Sequence, residues 1–322
     1  VRVLLVCLFL LAAPASAHLY SGLISERRFA EVEQALRQRL AQDPRDAAAL
    51  AASVELALAK AAPGYVAEAM RYADLCIQSQ ARNAECHLAR ARVLVARRDS
   101  GGWLARQRDT RAALSEFAQA IAYDTRLFPA RVGLARLQLD SPWLLGGGTS
   151  RARAQAIDSG RLNPDVSNLI QAWCDLDEGR EAKAEELALT LDLTGAEAVI
   201  QDQADLLWAL GQTYLDGGRA ADARRVFGEL RRRFPAQGRG YFGLGLVEQA
   251  SGQHAAALAL FNNALAVQPR PEVWSAVSVS AQAVGDRLRA IQALEQALRV
   301  PADWPRGQRD QAAARLRELK GP

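Results

Sequence analysis

The chain of 322 residues is 50% apolar, 24% charged and 6% aromatic, too apolar for a disordered tail and long enough for two ordinary domains or one elongated repeat array. Its 64 Ala, set against 23 Gly and 12 Pro, favour helices and leave too few β-branched and aromatic residues for an all-β or large α/β fold. The formal charge of +4 is a small difference between 40 basic and 36 acidic residues interspersed along the chain, which gives no nucleic-acid footprint.

Arg2 precedes an unbroken apolar run from Val3 to Ala13, and Pro14-Ala15-Ser16-Ala17 follows. A positive start, an apolar stretch of about a dozen residues and an Ala-x-Ala exit form a secretory signal pattern. The run is shorter than the ~20 residues of a membrane-spanning helix. Residues 1–17 are therefore expected to be a signal peptide cleaved near Ala17, and the mature chain to be periplasmic or secreted without a stable membrane span. A short uncleaved anchor is the alternative.

Setting Cys7 aside leaves Cys76, Cys86 and Cys174. Cys76 and Cys86 flank Gln80-Ala81-Arg82-Asn83, a turn-like stretch between two helical patterns. Residues equidistant from the turn of an antiparallel helix pair can come within bridging range. In an oxidising compartment this spacing favours a Cys76–Cys86 disulfide, with two buried thiols as the alternative. Cys174 is expected to pack as a small apolar group.

From 18 to 203 the chain reads as degenerate helix pairs. Val32, Leu36 and Asp43-Pro44 look like the second half of a unit whose first half is missing. Leu50, Val54, Ala69, Ala73 and Cys76 make the next unit. His87, Ala91, Ala113, Phe117 and Ala120 follow, with an insertion at 99–109. Leu134, Ala135, Ala152, Ala156 and Asn163-Pro164 form another, lengthened at 141–150 by an apolar, glycine-rich Pro142-Trp143-Leu144-Leu145-Gly146-Gly147-Gly148. That segment is read as a turn before a Thr or Ser helix cap. Residues 165–203 are the most degenerate unit.

From 204 the pattern is regular. Leu207, Leu210, Gly211, Tyr214, Gly218, Ala223, Phe227 and Pro235 are echoed 34 positions later by Tyr241, Leu244, Gly245, Gly252, Ala257, Phe261 and Pro269. A third pass gives Trp274, Val277, Gly285, Ala290, Leu294 and Ala297. Each half carries apolar residues at helical spacing. The Gly between the halves suits a left-handed residue closing the first helix, and the terminal Pro stops the second. Such a hairpin cannot bury its apolar face alone, so neighbours must stack. Residues 304–322 hold a capping helix, and no compositional linker divides the array.

These positions make residues 204–303 resemble tetratricopeptide repeats (TPR). The resemblance implies an all-α fold, a right-handed α-solenoid of stacked antiparallel helix pairs, whose first helices line a concave groove. Counting inward-facing places from the repeat anchors puts Glu55, Arg92, Arg136, Trp173 and Gln212 in the groove, with Trp208 and Phe242 one turn earlier. Arg92, Arg136, Trp173, Trp208, Gln212 and Phe242 are the candidate binding residues. They read as a groove basic at one end and aromatic further on, suited to an extended ligand carrying a carboxylate. Packing of the aromatics between repeats is the alternative. The Lys and Asn positions of the family's chaperone-tail readers hold Trp208, Gln212, Phe242 and Leu246 here, so that ligand is not implied.

No catalytic or cofactor motif stands out, and His18, His87 and His254 have no metal-ligand spacing. Asp175, Asp177 and Glu178 read as a solvated helix end. The expected function is a protein-interaction scaffold of the cell envelope, neither an enzyme nor a cofactor protein, with a protein or peptide partner and no nucleic acid. Two alternatives are a small ligand held under the 141–150 insertion and an enzyme site assembled between repeats. Self-association is left open.

Overall fold

The computed structural model describes residues 18–25, 27–61, 64–100, 102–194, 196–299, 304 and 306–321. The signal-like run and Cys7 lie outside them. Seventeen α-helices follow one another: α1 (His18–Ser25), α2 (Phe29–Gln42), α3 (Ala47–Lys60), α4 (Tyr65–Ser79), α5 (Ala84–Ser100), α6 (Trp103–Tyr123), α7 (Phe128–Leu139), α8 (Thr149–Gly160) and α9 (Pro164–Asp177). Then come α10 (Glu181–Thr190), α11 (Ile200–Asp216), α12 (Ala220–Arg233), α13 (Arg239–Ala250), α14 (His254–Val267), α15 (Pro271–Ala283), α16 (Arg287–Arg299) and α17 (Arg306–Lys320). They pack in sequential pairs, each against the next, giving an all-α superhelix. No helix among the described residues is long and apolar enough to cross a membrane.

The recurrent glycine makes the hairpins. Gly179, Gly218, Gly252 and Gly285 all have φ between +70° and +83°, the left-handed region that a Cβ disfavours. At Gly218 the chain closes α11 with two bonds, Arg219 N–H to Tyr214 C=O at 2.8 Å and Gly218 N–H to Leu215 C=O at 3.0 Å. That pair satisfies carbonyls the helix end would otherwise strand. Asp46 and Asn163 perform the complementary task at helix starts, accepting from Ala49 N–H and from Asp165 and Val166 N–H.

Small residues then let the helices approach. A Cβ on Gly211 or on Gly243 would lie 2.3 Å from a ring carbon of Phe227, and one on Gly245 would lie 2.4 Å from the ring of Phe261. The phenylalanines of α12 and α14 thus sit in notches cut by glycine in the first helices beside them. Alanines 184, 223, 257 and 290 are buried in the same layer.

Two expectations need correction, and one insertion finds its form. The first unit is not half missing, because α1 packs on α2 and α3 and buries Tyr20 with Val32 and Leu36. Eight residues containing Gly22 are too short to show a helical period. The insertion at 99–109 is taken up as helix: α5 and α6 run on to 17 and 21 residues. Gly148, and not Thr149 or Ser150, occupies the cap position of α8, and no side chain bonds there. Thr149 Oγ1 instead donates to Asp177 at 2.9 Å.

Cys76 and Cys86 form a disulfide between α4 and α5, with Cα atoms 5.3 Å apart. Cys174 is buried and free, and burial pushes its thiol up to about 11, which keeps it protonated and inert.

The long α5–α6 hairpin is pinned below its tip by Asp109, whose side chain is 0% exposed. It accepts from Arg97 Nε and Nη2 at 2.8 and 2.9 Å and from Arg108 Nε at 3.0 Å. The Arg97 fork, opposed by burial and aided by Arg108, holds this carboxyl below its ordinary range. A lowered native value means the stabilisation is present above the unfolded value of ~3.9 and is lost as pH falls through the native one. Asp109→Asn is expected to cost about 2 kcal/mol, less than a pair buried on both sides because Arg97 reaches water. The same variant should flatten the acid limb of a stability–pH curve measured by urea unfolding.

Candidate functional site

The first helices of successive pairs, α3, α5, α7, α9, α11 and α13, line the concave face. Arg92 stands on α5, Arg136 on α7, Trp173 on α9, Trp208 and Gln212 on α11, and Phe242 on α13. A cavity of about 600 Å³ opens between α5, α7 and α9. Val95, Leu137, Leu176 and Trp173 supply its apolar wall, and Arg92, Arg98, Arg136, Asp99, Asp140, Asp177 and Asp202 supply its charges. Gly133 lets α7 close on the Phe117 ring of α6 at the cavity wall, since a Cβ there would meet that ring at 2.6 Å.

The arginines do not form a free basic end. Arg92 pairs with Glu55 on α3, which also accepts from Ser21 Oγ of α1 at 3.0 Å. Arg136 donates to Asp202 and Asp205 of α11, both at 3.1 Å, while its guanidinium lies 4.5 Å from the centre of the Trp173 ring. Arg239 on α13 donates to Asp205 at 2.5 Å and covers one face of Trp208 at 5.2 Å. Arg98 joins Asp99 at 2.7 Å and Asp140 at 2.5 Å. Each guanidinium is thus held flat and neutralised by the protein's own carboxylates.

Counting Glu55, Asp205 and Arg239 just behind the wall, six carboxylates face four guanidiniums here. Asp99, Asp140 and Asp177 stand at or just past the C-terminal ends of α5, α7 and α9, where unpaired carbonyls add further negative potential. The expected basic groove is therefore corrected to a mixed one with an acidic excess at the mouth. The two aspartates of α11 also differ. Burial pushes the Asp202 carboxyl up, whereas Arg239 and Arg136 outweigh burial at Asp205 and hold it down.

The aromatic positions come together as a stack. Trp208 lies parallel to Phe242 with ring centres 5.6 Å apart, and it tilts against Phe227 at 5.4 Å. Phe242, 8% exposed, continues to Phe261 at 5.9 Å. Trp173 Nε1 and Gln212 Nε2, donors at equivalent places of consecutive first helices, are buried and meet no acceptor among the described residues.

Sequence reasoning missed Asp202 and Asp205, which lie 66 and 69 positions from their arginine. Glu55 was visible: it occupies the same groove place as Arg92 one unit earlier, and opposite charges in one register predict a pair. The 175–178 cluster also departs from expectation. Asp175 accepts from Arg153 at 2.8 Å and from Arg180, and Glu178 joins the same two arginines, so α8 is clamped to the end of α9. The 141–150 insertion contributes no residue to the cavity wall. His87 is buried, with Nδ1 2.6 Å from Glu116 and Nε2 3.0 Å from the Ala81 carbonyl. No cluster of potential metal ligands occurs among the described residues.

The fold and this groove define a tetratricopeptide-type superhelix of helix pairs. No protein-family model matches the chain, and no curated protein matches it. The solved structure of yeast Tom70 is similar over 92% of this chain and 59% of that one, with a TM-score of 0.62 at 12% identity. A tetratricopeptide repeat protein from Parabacteroides merdae matches 84% of this chain and 99% of its own at a TM-score of 0.47 and 15% identity. The Yersinia enterocolitica type III secretion chaperone SycD, in complex with a peptide of the translocator YopD, matches 37% of this chain and 93% of its own, with a TM-score of 0.34 and 22% identity.

Proposed function

We propose that the chain is an interaction scaffold that takes an extended segment of a partner protein along its concave face. The observation that carries this reading is the 600 Å³ cavity between α5, α7 and α9, with an apolar wall at Trp173 and an acidic mouth. A Lys or Arg side chain of the ligand would lie against Asp140 and Asp177 with its alkyl stem on Leu176 and Trp173. Arg92 and Arg136 hold the wall in shape, since both are committed to internal carboxylates. The Arg2-led apolar run with its Ala-x-Ala exit, together with the Cys76–Cys86 bridge, supports a periplasmic or secreted location.

Selection of random displayed peptides on the full chain tests this, with calorimetry on the winners. Basic, extended peptides are expected, and Asp140→Asn with Asp177→Asn should weaken them about tenfold, equivalent to ~1.4 kcal/mol. Enrichment of acidic peptides, or affinities indifferent to both substitutions and to Trp173→Ala, would remove the basis for this reading.

A further inference from the structure

Two neighbouring hairpins are lengthened on one edge of the superhelix, and both end in the same dipeptide. The turns that join first to second helices all lie on that edge, because successive antiparallel pairs stack in register. From α9 onward the turns are short and glycine-closed, at Gly179, Gly218, Gly252 and Gly285. At α5–α6 the hairpin overhangs and begins its return with Trp103-Leu104. At α7–α8 a short 3₁₀ turn, Trp143–Leu145, projects Trp143-Leu144. These four side chains are 71%, 73%, 73% and 69% exposed. The two tips touch: Arg98 of α5 reaches Asp140 at the end of α7 at 2.5 Å, and the 3₁₀ turn lies against α6. Neither pair contributes to the groove cavity.

We propose that these paired Trp-Leu tips dock the molecule onto an anionic lipid surface. Large apolar side chains kept in water at adjacent protruding points mark an interaction site. Indole is the side chain best suited to the headgroup level of a bilayer, with an apolar body and one polar N–H. The acidic mouth lies on the cavity side, and on the tip segments themselves Arg106, Arg111 and Arg151 remain in excess once Arg97, Arg98 and Arg108 are paired with Asp109, Asp99 and Asp140. Over 97–111 and 140–151 there are six arginines against three aspartates, and Arg151 folds over the second tip, donating to the carbonyls of Trp143 and Gly147 at 3.3 and 3.1 Å. Cations at this height are drawn to anionic headgroups within a Debye length. The two tips come from separate hairpins, Trp103-Leu104 at the start of α6 and Trp143-Leu144 in the 3₁₀ turn before α8. A deformable lipid surface receives such points, whereas a protein partner would have to offer two separate sockets.

The test uses the full chain with vesicles of phosphatidylcholine alone or mixed with phosphatidylglycerol, in low salt and in high salt. Sedimentation reports binding, and vesicles with brominated acyl chains report tryptophan depth. Residues 1–17 contain no tryptophan, so quenching does not come from that segment. Phosphatidylglycerol is expected to promote binding with quenched fluorescence, weakened by salt. Replacing Trp103, Leu104, Trp143 and Leu144 together by alanine should reduce binding by about tenfold or more, with circular dichroism unchanged because these side chains face water. Trp103→Phe with Trp143→Phe should keep binding and lose the quenching. The proposal is overturned if phosphatidylglycerol makes no difference, if the fourfold variant sediments like the native chain, or if quenching survives the double Phe exchange. A soluble protein that needs the four residues, without vesicle binding, would also overturn it. Peptide binding in the groove is measured without lipid, so the two readings fail separately.

Discussion

Phe227→Ala is expected to lower the unfolding free energy by about 4 kcal/mol, the middle of the range for a buried aromatic. The ring is 0% exposed, touches Trp208, and fills the notches left by Gly211 on α11 and Gly243 on α13. Alanine would therefore empty space shared by two hairpins. Neither glycine can refill it, and the flanking helices are held apart by Leu207, Leu210 and Val247, which are also buried. Urea unfolding gives the number, and Leu288→Ala, at a side chain 75% exposed, should change it by less than about 0.5 kcal/mol. Because each hairpin is stabilised mainly by its neighbours, the Phe227 variant should also split a single transition into two. A loss below about 1 kcal/mol would mean that α11 and α13 close on each other without the ring.

Reducing the Cys76–Cys86 bridge is expected to cost about 3 kcal/mol, from the loss of a cross-link over ten residues of an otherwise free unfolded chain. The bridge ties α4 to α5, and both sulfurs are buried beside Ala47, Val54, Ala73 and Val93. The measurement is the urea midpoint with and without a thiol reductant, repeated in Cys174→Ala so that the remaining thiol cannot exchange. Unfolding should propagate from the first repeats, visible as early loss of amide protection in α3 and α4, while α13 to α16 stay protected. Equal midpoints in both conditions would assign the two cysteines to packing alone.

The array was legible because its physics is local and repeated. A glycine with positive φ followed five places later by a buried alanine is a turn and a close contact, and Gly218 with Ala223 shows both. The large residues facing those gaps, Tyr214, Phe227 and Phe261, are fully buried as their spacing requires. The groove was legible in position and not in charge. Spacing placed Arg92 and Arg136 on the inner face, but the carboxylates that occupy them come from other helices. Curvature brings Asp202 of α11 to Arg136 of α7, and no periodicity encodes a meeting between units that are not sequence neighbours. The overlong α5 and α6 were hidden for a different reason: the added residues are themselves good helix formers, so an insertion of sequence became an extension of structure.

The curl of the array has one more consequence. With the Gln268 amide turned so that both of its ends find partners, its oxygen accepts from Arg27 Nη1, just past α1, at 2.7 Å, so the first hairpin meets the loop between α14 and α15. Burial, and then the nearby Arg270 guanidinium, lower the pKa of Arg27, which sets like charges against each other across the join. Opposed by that repulsion, this contact contributes little, and the curl is held by the packing of each hairpin on the next. The molecule is mechanically a split washer: its two lips can part at small cost, while its bore resists being flattened.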